Sequence, residues 1–470
     1  MMKRAIIIGA GPAGIATAAF LAEDGWVCDV YEAGTEEIAT QASDEYMDRA
    51  YGLSLQDRSI NVMERIHATE DVLRAGAYWR KGSVFHLPHV QRPMFRQENF
   101  KTLSCLRTEL VCGLLRTVRR KWKHQVRFHW ECPVVQLCLN KEGTNVMVLI
   151  GNKKLNEASA AQSADLIVCA DGANSNIGRR DLAILDPTFH FKTTPSGLVG
   201  KSILFDKDEE WTPDPDSLHF IHGKSGILLL GRDNGPRPSF RPGISSILIY
   251  PQSSELFGQN ATAHDMLSLL QDTFTEVQLP VHKVISKEGL QRSAESREHI
   301  YPGTCSCSHY NYRNFVLIGD AAHCSQINAA QGVNTALEDA FLLTNLLKDQ
   351  TGSHNNVDQA LENFTRSRKP DMDALQRMMR HPFFATMKST WRSQTIEKLR
   401  WTKAPCLRSL NEQIVLNELS FSQCEKNMLL QYHMPTLIAV LSLGLSSRII
   451  PIGVRHLIKL FFVVVKALRT

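Results

Sequence analysis

The chain has 470 residues, of which 43% are hydrophobic and 21% are charged. This composition is typical of a folded globular protein, and the length favours two or three domains. The net charge of +5 is too small to predict nucleic-acid binding. The eleven cysteines are scattered without a C-x-x-C pair, which favours an intracellular, reducing compartment with free thiols.

The amino-terminal segment predicts a β-α-β unit. Residues 4–8 form a short apolar run typical of a buried strand, 12–23 an alanine-rich helix and 27–31 a second strand. Lys3 and Arg4 followed by an apolar run imitate a secretory signal. Cleavage after that run would destroy a glycine motif inside it, so we expect no cleaved signal.

The predicted secondary structure changes several times along the rest of the chain. The pattern predicts helices at 59–75 and 106–123, a hairpin of strands 134–140 and 146–150, and a strand at 165–170. Short apolar runs alternating with Pro and Gly turns predict a mainly β region from about 186 to 300. A strand at 315–318, a helix near 333–348 and helical periodicity over 356–426 follow.

The last 44 residues, 427–470, are apolar and basic. Asn427–Ser447 carries no formal charge, and the segment after it combines a run of apolar residues with Arg and Lys. Two interpretations stay open: a buried helical cap on the main body, or membrane attachment, spanning or interfacial.

A glycine motif, G-A-G-P-A-G, follows the first predicted strand and opens the first helix. Its members are Gly9, Gly11, Pro12, Ala13 and Gly14. In this setting the first glycine permits a tight turn, the second lets the backbone approach a pyrophosphate, and the third lets the helix pack on the sheet. Glu32 ends the second strand, where a carboxylate can accept both ribose hydroxyls. We therefore predict a dinucleotide site, and not one for NADPH, because Glu32 would repel a 2′-phosphate.

Two further motifs come later in the chain. The first is D-L-I-V-C-A-D-G-A-N-S-N-I-G-R-R at 165–180, and the second is R-N-F-V-L-I-G-D-A-A-H-C-S-Q-I-N-A-A-Q-G-V-N-T-A-L-E-D at 313–339. With the glycine motif, in this order and spacing, they resemble the single-component FAD-dependent aromatic hydroxylases of the para-hydroxybenzoate hydroxylase type. The resemblance covers roughly residues 1–380.

The resemblance implies a role for each matching residue. Glu32 would hold the adenosine ribose, Asp320 the ribityl or ribose hydroxyls, and Arg107 would lie near the phosphates. Asp171 belongs to a motif linked to both FAD and NADPH, and Arg179 behind it is either part of that motif or a surface charge. The helix that begins at Gly332, Val333 and Asn334 would point its N-terminus at the flavin pyrimidine edge. The family usually has Pro and Gly where this chain has Ile327 and Ala330, so the loop beside the flavin is altered.

Within the class, the chain is similar to kynurenine 3-monooxygenase-like proteins. The resemblance rests on D-R-S-I-N at 57–61, Q-G-V-N-T-A-L-E-D at 331–339 and R-K-P-D-M-D-A-L at 368–375. Those proteins hold a substrate carboxylate with an arginine. Here Arg80 is the candidate, offset by a few positions, and Phe95 falls where they have a tyrosine.

The resemblance therefore implies an α/β fold: a Rossmann-like FAD-binding domain, an interleaved mainly β substrate domain and a helical C-terminal region. We assign 1–75, 105–185 and 305–350 to the first, 76–104 and 186–304 to the second, 351–426 to the third, and 427–470 to the tail. The implied function is a monooxygenase that uses NAD(P)H and O2 on an aromatic or polyprenyl-like small molecule. An epoxidase of a lipid alkene and a non-enzymatic FAD-fold protein remain alternatives.

One short motif could hold a metal instead. Cys305, Cys307 and His309 form C-x-C-x-H, but no second ligand pair follows at zinc-site spacing. We therefore expect no metal site, no catalytic triad and no nucleophilic side chain.

Overall fold

The computed structural model describes most of the first 380 residues and a short stretch beyond them. The described residues are 2–40, 51–86, 94–97, 101–152, 157–158, 161–206, 214, 216–231, 245–252, 261–277, 279–296, 298–327, 330–348, 356–380, 413–414, 417 and 419–429. The chain divides into two compact units, Met1–Ser367 and Arg368–Thr470.

The strands and helices alternate in the first part of the chain and separate into blocks later. The strands are β1 (Arg4–Ile8), β2 (Val27–Tyr31), β3 (Gly52–Leu55), β4 (Tyr78–Trp79), β5 (Gly82–His86), β6 (Met94–Gln97), β7 (Leu103–Leu106), β8 (Val126–His129), β9 (Val134–Leu139), β10 (Val146–Asn152), β11 (Glu157–Ala158), β12 (Leu166–Cys169), β13 (Phe191–Thr194), β14 (Leu198–Ser202), β15 (Ser217–His222), β16 (Ile227–Gly231), β17 (Ser245–Pro251), β18 (His299–Ile300), β19 (Thr304–Cys307), β20 (Asn311–Tyr312) and β21 (Phe315–Leu317). The helices are α1 (Pro12–Glu23), α2 (Glu36–Thr40), α3 (Asp57–Arg65), α4 (Thr69–Arg74), α5 (Arg107–Lys121), α6 (Gly178–Leu185), α7 (Ala263–Thr273), α8 (Val281–Val284), α9 (Lys287–Glu295), α10 (Asp320–His323), α11 (Gly332–Lys348) and α12 (Asn356–Arg380).

A six-stranded sheet, ordered β20-β21-β12-β1-β2-β8, forms the first core. All its neighbouring pairs are parallel except the edge pair β20–β21. Ile6 and Ile7 point to opposite faces and are both fully buried. A parallel sheet that is buried on both faces needs strands without polar alternation, and the R-A-I-I-I and L-I-V-C runs supply them. This Rossmann-like sheet confirms the predicted α/β fold class.

A seven-stranded sheet, ordered β18-β14-β17-β16-β15-β5-β6, forms the second core. Its pairs are antiparallel except β5 with β15. Alternate residues point to opposite faces, and one face packs on α7, α8 and α9. That helix-covered face contributes Val199, Ile221, Leu228, Leu230, Leu248 and Tyr250 to a buried cluster with Met266, Leu270 and Val281.

The structure differs from the sequence-based expectations at two places. The helix predicted over 59–75 is broken into α3 and α4, because His67 between them has φ +58°. The region predicted as mainly β contains α7, α8 and α9. A signal for α7 was present: Thr262 and Asp265 form a capping box, and Met266, Leu269, Leu270 and Thr273 have helical spacing.

The apolar tail falls almost entirely outside the described residues. Only 427–429 are described, within a helical stretch over 421–429. No helix in the described part of the chain is long and apolar enough to cross a membrane. Both interpretations of 427–470, a buried cap and membrane attachment, therefore stay predictions, and the described residues do not support a spanning helix.

Candidate functional site

The glycine motif forms a tight junction between β1 and α1. Gly9 has φ +101°, and a Cβ there would lie 2.5 Å from the Ala170 carbonyl oxygen. A Cβ on Gly14 would lie 2.0 Å from the Gly9 carbonyl oxygen. These two positions therefore admit only glycine. Pro12 and Ala13 form the first turn of α1, whose bonding begins with Ile15 N–H donating to the Gly11 carbonyl at 3.0 Å. The earlier N–H groups have no acceptor inside the helix.

Gly11 is less crowded than Gly9 and Gly14 among the described residues. The nearest atom to a Cβ at Gly11 would be Arg107 Nη2, at 3.9 Å. Arg107 begins α5, and its backbone N–H donates to the Tyr51 carbonyl at 3.0 Å. A helix N-terminus and a guanidinium therefore lie close together, and both groups favour a pyrophosphate.

The Glu32 carboxylate is held by the backbone on both sides. Ala10 N–H donates to Oε2 and Gly34 N–H donates to Oε1, each at 2.9 Å. Each carboxylate oxygen can accept a second hydrogen bond. Glu32 can thus accept ribose hydroxyls without giving up the contacts that orient it.

The second motif meets the first at the end of β12. A Cβ on Gly9 would lie 3.4 Å from Asp171 Cα. Asp171 Oδ2 accepts the N–H groups of Ile177 and Gly178, each at 3.3 Å, whereas its buried Oδ1 has no hydrogen-bond partner within the described residues. A buried acceptor of this kind suits a donor on a bound ligand.

Arg179 is not a surface charge, because it is only 3% exposed. Its Nη1 donates to the carbonyls of Asp320 and Ala321 at 3.2 and 3.1 Å, and its Nη2 donates to the carbonyl of Ala173. Arg179 therefore joins the second motif to the third.

Within the third motif, Gly319 has φ +58° and precedes α10. A Cβ there would lie 3.1 Å from Ala336 Cβ and 3.6 Å from Ala13 Cβ. The buried Asp339 accepts the Gly319 N–H at 2.7 Å and contacts His323 Nε2 at 2.6 Å. His323 therefore positions the loop within the buried core.

Asp320 lies at the centre of this convergence and is partly buried. Burial raises the pKa of its carboxyl, while the nearby His323 and Arg179 oppose that rise. A Cβ on Gly332 would lie 3.7 Å from Asp320 Oδ1, so Asp320 faces the start of α11.

The first turn of α11 contains Gly332, Val333 and Asn334. The Asn334 side chain is fully buried and faces the protein: its Oδ1 accepts from Gln56 N–H and Ser59 Oγ, at 2.8 and 2.7 Å. Its Nδ2 donates to the carbonyls of Ser54 and Ala330. The side chain thus fixes the helix start, and the backbone N–H groups of the first turn are the groups that a helix offers to a bound anion.

Ala330, before this turn, has φ +51°. The resemblance expects glycine at this position, and the backbone keeps the left-handed conformation that glycine favours although alanine occupies it. Ile327 occupies the expected proline position and accepts a 2.9 Å bond from Ala330 N–H.

The C-x-C-x-H residues do not converge. Cys305 and Cys307 have their sulfur atoms 3.9 Å apart, but His309 Nε2 contacts Asp186 Oδ2 at 2.9 Å. No cluster of three metal-binding side chains occurs among the described residues. Hydrogen bonding from Cys307, together with the positive Arg179 and His323, outweighs burial and lowers the pKa of Cys305 to about 7.

Sequence reasoning missed the aromatic residues near this edge. A Cβ on Gly200 would lie 2.8 Å from the Tyr301 ring, and one on Gly231 would lie 3.3 Å from the Tyr78 hydroxyl. Burial, with Tyr51 nearby, raises the pKa of Tyr301. No local motif could have predicted these residues, because they come from three separate segments.

The geometry does not assign a role to the side chain of Arg80 or of Phe95, the two residues linked to substrate in the sequence. Arg80 donates its backbone N–H to the Thr102 carbonyl at 2.9 Å. Phe95 lies in β6, where its backbone pairs with Val84. Their side-chain roles stay predictions.

Comparison with known proteins agrees with this geometry. The model of the FAD binding domain family matches residues 2–378. Violacein synthase of Chromobacterium violaceum is 27% identical over 391 residues, covering 81% of this chain and 85% of that protein. Kynurenine 3-monooxygenases of Salinispora tropica and Sus scrofa are each 25% identical, covering 79% and 78% of this chain and 78% and 73% of those proteins.

Solved structures share the fold at lower identity. The tetrameric form of 2-methyl-3-hydroxypyridine-5-carboxylic acid oxygenase is 19% identical with a TM-score of 0.58, covering 80% of this chain and 90% of that one. A tetracycline destructase is 17% identical with a TM-score of 0.56, covering 90% and 98%.

The fold and the converging motifs define an FAD-binding oxidoreductase. The chain belongs to the FAD binding domain family, among the FAD-dependent monooxygenases.

Proposed function

We propose that this protein is a monooxygenase that uses NAD(P)H and O2 to insert one oxygen atom into an electron-rich ring. The observation that supports this most strongly is the convergence of all three motifs at the carboxyl edge of the parallel sheet. Gly9 approaches Ala170, and Gly319 approaches Ala13 and Ala336. That edge is where open α/β sheets bind their ligands.

The chain's own residues fit FAD. Glu32 would bind the adenosine ribose, Arg107 and the start of α1 the pyrophosphate, and Asp320 the hydroxyls of the linking chain. Asp171 would accept a donor through its unpartnered Oδ1. When bound and reduced by NAD(P)H, FAD activates O2 and supplies the oxygen atom that is transferred.

The protein's contribution to the reaction is electrostatic and steric. The N-terminus of α11 would stabilise negative charge at the pyrimidine edge, which is worth about 0.3–1 kcal/mol and up to about 2 kcal/mol when partly buried. The half-buried residues of the seven-stranded sheet, such as Phe220 and Leu229, would exclude water and hold the substrate ring. We also propose the domain limits given above, with 76–104 and 186–304 forming the substrate domain.

The decisive experiment measures cofactor, turnover and the source of oxygen together. Purified protein should release FAD on denaturation and oxidise NADH or NADPH faster when substrate is present. Product formed under 18-O2 should gain one labelled oxygen, and product formed in labelled water should not. Label from water would refute the oxygen-insertion chemistry.

An epoxidase acting on a lipid alkene is the second candidate. The half-buried apolar residues of the seven-stranded sheet, such as Phe220 and Leu229, favour it equally, because an alkene needs no charged partner. Products from the same assay distinguish the two, since an epoxide hydrolyses to a diol and a phenol does not. Flavin-containing protein that turns over no ring compound or alkene would support the non-enzymatic alternative.

A further inference from the structure

Two thiols lie side by side on strand β19. Cys305 and Cys307 are two residues apart on an extended strand, so their side chains point to the same face. Their sulfur atoms are 3.9 Å apart. A rise of about 3.3 Å per residue separates their Cα atoms by about 6.6 Å, within the range of about 4.4–6.8 Å that disulfides usually span. A bond between the two sulfurs therefore needs only a small movement of the side chains.

Arg179 lies beside this pair and connects it to the proposed cofactor site. Its Cζ atom is 5.7 Å from the ring centroid of Phe191, which pairs directly with Cys307 between β13 and β19. Its Nη1 donates to the carbonyls of Asp320 and Ala321 at 3.2 and 3.1 Å. Arg179 therefore contacts both the strand that carries the thiols and the start of α10.

A backbone contact connects the pair to the other end of α10. The Cys305 N–H donates to the carbonyl of Cys324, the residue directly after this helix, at 2.9 Å. Asp320, which we propose to bind FAD, is the first residue of α10. A change in the position or the charge of Cys305 therefore acts on both ends of the helix that carries Asp320.

Cys305 is the nucleophilic member of the pair. Hydrogen bonding from Cys307, together with the nearby Arg179, outweighs burial and lowers the pKa of Cys305 to about 7. Roughly half of this thiol is therefore ionised at neutral pH, and the thiolate is the form that attacks an oxidant. Burial instead raises the pKa of the thiols of Cys28 and Cys169.

We propose that Cys305 and Cys307 are a redox site, whose reversible disulfide weakens FAD binding. The two residues are only 1% and 2% exposed, so the oxidant must be small. We take it to be hydrogen peroxide, the product of O2 that has accepted two electrons. The inference depends on FAD binding and not on the proposed oxygen insertion.

The oxidation proceeds in two balanced steps. The Cys305 thiolate attacks one peroxide oxygen, so that an S–O bond forms and the O–O bond breaks. The hydroxide that leaves takes up a proton, and Cys305 becomes a sulfenic acid. The Cys307 sulfur then attacks the Cys305 sulfur, an S–S bond forms, and the sulfenic oxygen leaves with the Cys307 proton as water. Two thiols and one peroxide thus give one disulfide and two waters.

The disulfide should disturb the segment around Asp320. It removes the thiolate charge from beside Arg179 and shortens the distance between the sulfurs from 3.9 Å to about 2.05 Å. We expect FAD to bind about tenfold more weakly to the oxidised protein, within the usual range of coupling between two sites. Coupling is reciprocal, so FAD should favour the dithiol by the same factor and raise the midpoint potential of the pair by about 30 mV.

Peptide mapping and FAD titration test the proposal on the full chain. Protein reduced with dithiothreitol is treated with hydrogen peroxide. We expect a Cys305–Cys307 disulfide that dithiothreitol reverses, and a Kd for FAD that is about tenfold higher in the oxidised apoprotein than in the reduced one. A bond from Cys305 to Cys324, retention of both thiols, or an unchanged Kd would overturn the proposal.

Thiol variants test the role of each cysteine. Cys307→Ser cannot form the disulfide, so the sulfenic acid on Cys305 should persist and react with dimedone, and Cys305→Ser should give neither product. Cys138→Ser, at a half-buried position on β9, is the control and should still form the disulfide. A dimedone adduct on Cys307 in Cys305→Ser would contradict the assignment of Cys305 as the nucleophile.

A dithiothreitol redox buffer tests the reciprocal effect. The midpoint potential of the pair is measured with and without saturating FAD, and equal values would show that the thiols and the cofactor site are not coupled. The two proposals fail differently. A flavoprotein that inserts no oxygen but shows the disulfide and the shift in Kd refutes the proposed function alone. A monooxygenase whose Kd for FAD does not respond to peroxide refutes this inference alone.

Discussion

The two sheets of this protein obey the same packing rules but are used differently. In the parallel sheet both faces are buried, as Ile6 and Ile7 illustrate, so no face is left to meet a ligand. Its candidate site lies at one edge and consists largely of backbone groups. In the seven-stranded sheet one face packs on α7, α8 and α9, whereas Phe85, Phe220 and Leu229 on the opposite face are half-buried. The edge of the parallel sheet should therefore not tolerate a Cβ in place of a glycine hydrogen. Ligand binding at the seven-stranded sheet should depend mainly on the polarity of its side chains.

The largest effect is expected at Gly14. In Gly14→Ala the new Cβ would lie 2.0 Å from the Gly9 carbonyl oxygen, which forces α1 away from β1. We expect a loss of about 3 kcal/mol or more in unfolding free energy and the loss of bound FAD. Thermal unfolding and flavin content measure both. Gly52→Ala is the control, because nothing lies within 4 Å of that Cβ position. Normal flavin content in Gly14→Ala would contradict the proposal that FAD binds at the carboxyl edge of the parallel sheet.

Neighbouring leucines on β16 test the two faces of the second sheet. Leu230 is 1% exposed and belongs to the helix-covered cluster, so Leu230→Ala should cost about 2–5 kcal/mol of stability. Leu229 is half-buried on the opposite face, so Leu229→Ala should cost about 1 kcal/mol or less in unfolding free energy. Chemical denaturation compares them. Equal losses would mean that the face with Leu229 is also part of the folding core.

Asp320→Ala tests hydrogen bonding to FAD at the edge of the parallel sheet, and not the packing there. Removing a charged hydrogen-bond acceptor should weaken FAD binding by about 1.5–3 kcal/mol, or roughly 10- to 150-fold. Fluorescence titration of the apoprotein with FAD gives the Kd. Asp272→Ala on α7, at a side chain that is 79% exposed, should leave the Kd unchanged.

The second sheet should show an acid sensitivity that comes from its histidine pair, His86 and His219. Burial, with a smaller contribution from His219, lowers the pKa of His86 from 6.5 to about 4. Below pH 6.5 the unfolded chain takes up a proton that the folded protein resists, so this stabilisation is complete above pH 6.5 and is lost as the pH falls toward 4. At pH 5 the loss should be about 1 kcal/mol after allowance for solvent screening.

His86→Gln should reduce the decrease in Tm between pH 7.5 and pH 5. His219 should keep part of the pH dependence, because burial lowers its pKa as well. An unchanged pH profile in His86→Gln would show that this histidine pair does not control the acid response.

The smallest effect concerns Ala330. Its φ of +51° costs about 1 kcal/mol for an alanine, and glycine avoids this cost but gives a more flexible unfolded chain. Ala330→Gly should therefore change the unfolding free energy by less than about 1 kcal/mol, in the stabilising direction. Gly25→Ala, at φ +80° with no atom within 4 Å, is the reverse control and should be destabilising. Destabilisation by Ala330→Gly would mean that the methyl group makes a packing contact.

The sequence by itself determined the parallel sheet and the elements of its candidate site. Local signals were sufficient there: uninterrupted apolar strands, glycines at fixed spacing, and an acidic residue at the end of the second strand. The hairpin of β9 and β10 and helix α11 were equally local. That Asp171 and Asp320 belong to the same site as the glycine motif was implied by the resemblance to the FAD-dependent hydroxylases, and β1, β12 and β21 are parallel strands that end at one edge.

Only the tertiary structure decided which contacts each side chain makes. Arg179 could not be distinguished from a surface charge by sequence, because its partners are backbone carbonyls up to 142 residues away. Asn334 matches the motif, yet its side chain is used to hold the segment at Ser54, Gln56 and Ser59. The sequence also did not show which face of the seven-stranded sheet packs on helices. Period-two alternation identifies two faces, but only the packing of α7, α8 and α9 determines which one is covered, and a covering helix is a long-range contact that no local pattern encodes.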